Sequence, residues 1–170
     1  ICKYLDDKIN LNIKEICNIF QNQFATTFQI EKLKNINNFE FDDNFINKGI
    51  NNELDKLVEL NSDSKIILES IRGYFDNIIS QGEKNKKNDF VKIHSTDKMG
   101  FYLQCTNRRS KILTNELKKE GNSIVDISFT NNSGNMKTFT LSISDITYET
   151  ATGSNVNIIN NEIKNICRDI

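Results

Sequence analysis

Proline is absent from these 170 residues, glycine numbers 7 and histidine 1. With so few chain-breakers, the loops must be punctuated by the abundant asparagine. No run of 18 apolar residues occurs, so no membrane span is expected. No signal peptide or transit segment is visible. Position 1 is Ile, which reads as a piece of a longer chain. The cysteines at 2, 17, 105 and 167 lack any CxxC spacing and read as reduced thiols of an intracellular protein. A Cys–His dyad would have to be His94 with Cys105, and both fall in expected strands with no acidic or amide orienter. His94 is expected on the polar face of its strand and Cys105 on the apolar face of the next, so both are expected to be structural. Scattered cysteines and one histidine do not make a zinc site. No G-x-x-x-x-G-K-[ST] loop is present. The chain is therefore expected not to be an enzyme.

What is present is about one domain's worth of chain, 37 % hydrophobic and 26 % charged. The net charge of −1 conceals an uneven distribution. Residues 83–140 hold 11 Lys+Arg against 6 Asp+Glu, and the remainder holds 11 against 17. A basic middle between acidic flanks points to contact with a polyanion, set against the plainer reading of a solvated charged surface.

Ile50, Leu54, Leu57, Asn61, Ser64, Leu68, Ile71, Phe75 and Ile78 alternate steps of four and three, which predicts one continuous helix over 49–82. Gly73 lies inside it, at a cost of about 1 kcal/mol relative to Ala. A second stripe, Val156, Ile159, Ile163, Ile166 and Ile170, predicts a helix over 155–170 capped by Ser154 or Asn155. Two matched stripes predict an antiparallel pair. Between them, four alternating runs around 91–94, 101–106, 125–129 and 139–143 predict a small antiparallel sheet, with loops at 95–100 and 131–135. A short helix over 107–120 is expected between the second and third runs, capped by Thr106 or Asn107 and ended by Gly121. Its Arg108, Lys111, Asn115 and Lys118 share a face, away from Ile112, Leu113 and Leu117. In the N-terminal 48 residues, Ile9, Ile13, Ile16, Phe20 and Phe24 read as helical core packing, followed by an irregular Asn-rich stretch over 29–48.

The stretch from Asn44 to Leu57, with Phe45-Ile46, Gly49 and Glu53-Leu54-Asp55, resembles the "F-I-x-x-G-x-x-x-E-L-D-x-L" signature that opens the lever helix of MutS-family mismatch-repair proteins. Val91-Lys92-Ile93 through Gly100-Phe101-Tyr102-Leu103-Gln104-Cys105-Thr106 resembles the first hairpin of that family's clamp. The resemblance covers about residues 40–107, and the final helix more weakly. It departs where the family has a Pro-containing segment and a "Q-T-x-x-x-x-R-Y" stretch, since Asn107-Arg108-Arg109 opens a helix here. That pattern looks like a divergent branch, such as those of giant viruses or organelle-encoded members.

The resemblance implies an α+β fold of long antiparallel lever helices with a small antiparallel sheet and short helix, the clamp, inserted at the tip. Its divisions would be 1–82 lever, 83–150 clamp and 151–170 returning lever. It implies a non-catalytic fragment that grips the backbone of double-stranded DNA through phosphates and couples it to a distant ATPase. ATP and magnesium would belong to the parent protein, with no cofactor in this fragment. The parent would dimerise through other parts and would work in a nucleus, an organelle or a viral factory. The candidate DNA-contacting residues are Lys92, Lys98, Arg108, Arg109, Lys111 and Lys118. The alternative is a coiled-coil arm with a β-tip that docks a partner protein. A clamp tip should be basic and apolar-poor, whereas a docking tip should expose an aromatic or aliphatic patch.

Overall fold

A computed structural model describes residues 12–34, 36, 44–83 and 89–170. The readings made for Cys2, Ile9, Lys84, Lys86, Lys87 and the stretch 37–43 lie outside the described residues. The chain divides into two compact units, residues 1–58 and 59–170.

In the first unit, helix α1 spans Ile13–Thr27 and helix α2 spans Ile30–Lys34. Asn12 caps α1, its Oδ1 accepting from the Glu15 amide at 3.1 Å. The far end of α1 is closed by residues 44–47. Asn47 Nδ2 donates to the Ala25 and Thr26 carbonyls at 3.1 and 2.8 Å, and the Gln29 amide donates to Phe45 O at 2.7 Å. The Ala25 and Thr26 carbonyls are among those a helix end leaves unpaired. Residue by residue, the family-like stretch is thus a helix junction. Gly49 sits at φ +93°, a region that favours glycine, and its amide donates to Asp55 Oδ2 at 2.7 Å. Asn51 Oδ1 accepts from the Glu53 and Leu54 amides at 2.9 and 3.1 Å. The long helix therefore starts at 52 and not at 49.

The expected N-terminal core is corrected. No residue of α1 or α2 is buried, and Ile16, Phe20 and Phe24 are 53 %, 66 % and 39 % exposed. Helical spacing says which residues share a face; whether anything covers that face is a tertiary matter. Here the rings stack on one another, with centroids 6.1 Å apart for Phe20–Phe24, 4.8 Å for Phe24–Phe28 and 6.1 Å for Phe28–Phe45.

Helix α3 runs unbroken over Asn52–Gly82, 31 residues or about 46 Å at 1.5 Å per residue. Its buried positions begin at Ser64 and include Leu68, Ile71, Phe75, Ile78 and Ile79. Gly73 has nothing within 4 Å of where a Cβ would stand, so no close contact requires it. Gly82 does have one, since its Cβ would meet Ile112 Cγ2 at 2.5 Å.

The strands are β1 (Lys92–Thr96), β2 (Gly100–Thr106), β3 (Ile124–Thr130), β4 (Met136–Ser142), β5 (Thr147–Thr150) and β6 (Asn155–Ile159). Helix α4 (Asn107–Glu120) follows β2, and α5 (Asn161–Arg168) follows β6. As expected, α4 is capped by Thr106 and ends at Gly121 with φ +69°. The single four-run sheet is corrected to two sheets, one in the order β1-β2-β6-β5 and the other the β3-β4 hairpin. All pairings are antiparallel. The fold class is α+β, with the long helix, small antiparallel sheets and short helices.

The 16-residue return helix is also corrected. Residues 155–159 form β6, in the interior of the larger sheet, with Val156 opposite Cys105 and Ile158 opposite Leu103. Val-Asn-Ile alternates as well as it steps by three, and two exposed strand edges on either side resolve the choice toward a strand. The helix is restarted by Asn160, whose Oδ1 accepts from the Glu162 and Ile163 amides at 2.8 and 3.2 Å. Its Nδ2 donates to Ser142 O at 2.8 Å, tying the helix start to the end of β4. The remaining stripe does meet the long helix. Ile163 and Ile166 share one buried cluster with Leu68, Ile71 and Phe75, and Asn61 Nδ2 donates to Ile170 O at 2.5 Å.

Two polar links fix the cluster's edges. Buried Asp76 on α3 accepts from the Phe90 and Val91 amides at 2.9 and 2.7 Å, and its other oxygen accepts from Arg72 Nη1 at 2.7 Å. Lys137 on β4 reaches Asp63 at 2.6 Å and Glu59 at 3.6 Å, which pins the β3-β4 hairpin to α3. The hydrogen bond to Asp63 holds the Lys137 ammonium above its usual pKa.

Candidate nucleic-acid interface

Pairing in the larger sheet sets its two faces. Ile93, Leu103, Cys105, Val156 and Ile158 point one way, into the core under α4. Lys92, His94, Tyr102, Gln104, Asn155 and Asn157 point the other way, and they form a polar face. On it, His94 stacks on its cross-strand neighbour Tyr102 at 5.6 Å and 23°, and Gln104 Nε2 donates to Asn157 Oδ1 at 3.0 Å. The separation of His94 from Cys105 is as the alternation predicts. Burial pushes the Cys105 thiol up to about 11 against the opposing pull of Arg109, and burial alone pushes Cys167 up to about 11. Neither is a thiolate at neutral pH, so neither is poised as a nucleophile. Among the described residues no three of His, Cys, Asp and Glu gather as a metal site.

The six candidate cations do not form one patch. Lys92 and Arg109 come together at the edge of the polar face. There a cleft of about 250 Å³ is lined by Phe90, Lys92, His94, Gln104, Arg109 and Asn155, among others. Arg109 is fixed in place, its guanidinium 4.7 Å over the Phe90 ring and its Nη1 donating to Phe90 O at 3.4 Å. Arg109, a candidate DNA contact from the sequence, is half-buried and also braces the entry to β1. Arg108, although exposed, pairs with Glu83 at 3.1 Å. Lys111 and Lys118, seven residues apart on α4, flank the surface on either side of Tyr148. Thr114 Oγ1 lies 3.2 Å from Tyr148 Oη, and burial raises the Tyr148 pKa against that hydrogen bond. Lys98 stands in the turn between β1 and β2. Among the described residues Lys92, Lys98, Lys111 and Lys118 are exposed and enter no ion pair.

Sequence reasoning missed His94 as part of the cleft. The signal available was its place two residues after Lys92, on the same strand face. The exposed large apolar residues of the second unit are Leu60, Met99, Ile124 and Met136. Ile124 and Met136 lie at opposite ends of the β3-β4 hairpin, and Met99 lies in the β1-β2 turn, so these three do not gather into one patch.

The second unit is thus an α+β body that offers cations and hydrogen-bond donors on one sheet face and one helix, without an activated nucleophile among the described residues. No protein-family model matches the chain. It is similar to the "Putative DNA mismatch repair protein mutS homolog" of Acanthamoeba polyphaga mimivirus, with 32 % identity over 111 residues. The matched part is 64 % of this chain and 10 % of that protein, so the chain spans about a tenth of the length of the relative it matches. The similarity supports a relationship to MutS-like proteins.

Proposed function

We propose that this chain is a non-catalytic lever-and-clamp part of a MutS-like mismatch-repair protein. It would grip duplex DNA through backbone phosphates and transmit the grip along the long helix to an ATPase elsewhere in the parent protein. The observation that carries the reading is the 32 % identity over 111 residues to the viral mutS homolog. The placement of Lys92, Lys98, Arg109, Lys111 and Lys118 supports it. They lie on a hairpin and a helix of the unit whose apolar surface is mostly spent in its core. ATP and magnesium would act only in the parent, which would dimerise through other regions. The division into lever 1–82, clamp 83–150 and return 151–170 belongs to this proposal. So does an intracellular site of action.

Phosphate contacts give affinity without sequence information and release counterions, so binding must weaken with salt. The test is a salt titration of the 170-residue chain on matched and mismatched duplexes. The expected slope of log K against log salt is roughly −4 to −5, about −0.9 per phosphate contact, with little preference for the mismatch. Replacing Lys111 and Lys118 together by Ala should flatten the slope by about two units. A slope near zero would return these charges to the solvated surface and favour the docking-module alternative.

A further inference from the structure

We propose that the cleft between β1 and the start of α4 is a seat for one phosphate group, held by Lys92, His94 and Arg109. The inference rests on the reading above only in naming the phosphate's source, a DNA backbone phosphodiester.

Three donor-bearing side chains converge on this cleft of about 250 Å³ from β1 and α4, and no carboxylate among the described residues lines it. Elsewhere in the second unit, Arg72, Arg108, Lys119 and Lys137 each lie beside an acid, whereas Lys92 and Arg109 pair with none among the described residues. Each of the three has donors left over. Arg109 gives Nη1 to the Phe90 carbonyl, and its other N–H groups have no partner among the described residues. Lys92 and the His94 ring nitrogens have none either. The stack on Tyr102 and the stack on Phe90 hold the imidazole and guanidinium planes in place before any ligand arrives. Orientation in advance is what separates a built site from mobile surface lysines, because little side-chain entropy remains to be lost on binding. Donors approaching from several directions suit a tetrahedral oxyanion better than a planar carboxylate. Gln104 and Asn155 on the rim add amide groups that can serve a sugar or a second oxygen.

His94 is the chain's single histidine, which makes its imidazole an isolated reporter. The experiment follows the ¹⁵N-imidazole signals of the 170-residue chain while inorganic phosphate, and separately a duplex DNA at low salt, is added. Both additions are expected to shift the His94 signals. Lys92→Gln, at an exposed position, and Arg109→Lys, which keeps charge but loses the fork, should each weaken DNA binding about 3- to 10-fold and reduce the salt slope by up to about one. Lys164→Gln on α5, outside the cleft, should change neither the His94 shifts nor the Lys92-dependent part of the slope. If DNA binds with the expected slope while His94 stays still and Lys92→Gln binds like the parent, the seat is overturned and the clamp reading stands. If phosphate shifts His94 and Lys92→Gln abolishes the shift, but DNA does not bind, the seat stands and the clamp reading falls. If neither addition moves His94 and DNA does not bind, both fall.

Discussion

Residues 1–58 and 59–170 spend the same kind of sequence pattern in opposite ways. In the first unit a stripe of Ile16, Phe20 and Phe24 lies on a helix and stays largely exposed, rings stacked along its own surface. In the second, Leu68, Ile71 and Phe75 also line one helical face and are each at most 1 % exposed. Periodicity is equally clear in both. What differs is supply. The second unit has two sheets and two further helices to set against the stripe, and the first has one short helix and an extended segment among its described residues. An apolar face contributes to stability only by the area that something else removes from water.

The sharpest way to break this comparison is a matched pair of substitutions. Phe75→Ala removes a ring with no exposed surface and should cost about 3–5 kcal/mol in urea unfolding. Phe20→Ala, at a position 66 % exposed, should stay within about 0.5 kcal/mol. Equal losses would show that the first unit's stripe is covered in solution. Asp76→Ala comes next, at about 3 kcal/mol. It orphans the buried Phe90 and Val91 amides, and it leaves Arg72 with Glu69 alone. An Asp76→Ala chain as stable as the parent would mean that the link from α3 to β1 is made some other way. Smallest is a contrast within α3. Gly82→Ala should destabilise by about 1–3 kcal/mol because its methyl meets Ile112, whereas Gly73→Ala should stabilise by about 0.5–1 kcal/mol in open space. Thermal melts of the two variants, moving in opposite directions, would confirm that the helix's glycines are not equivalent.

The long helix, its burial stripe from Leu68 to Ile78, the α4 caps and the β1-β2 and β3-β4 hairpins were all legible in the sequence. Each is settled by local physics. A 3.6-residue repeat is long enough to exclude a strand, a Thr side chain caps an amide three residues on, and Gly100 and Gly134 take positive φ in turns. The candidate site was legible in part. Lys92, Arg109, Lys111 and Lys118 could be named from charge alone, but not that Arg109 stacks on Phe90, that Arg108 pairs with Glu83, or that Lys92 and His94 meet Arg109 in one cleft. Those facts depend on residues brought together from 15 to 25 positions apart along the chain.

The sequence by itself determined which residues can share a face, where helices can begin and end, and that the basic charge is concentrated in the middle of the chain. Only the tertiary structure decided which faces are covered and which of two permitted states residues 155–159 take. Val-Asn-Ile-Ile satisfies a helical step and a strand alternation alike. Its backbone became β6 because the edges of β2 and β5 each offered a row of unpaired N–H and C=O groups, which an isolated segment has no means of sensing.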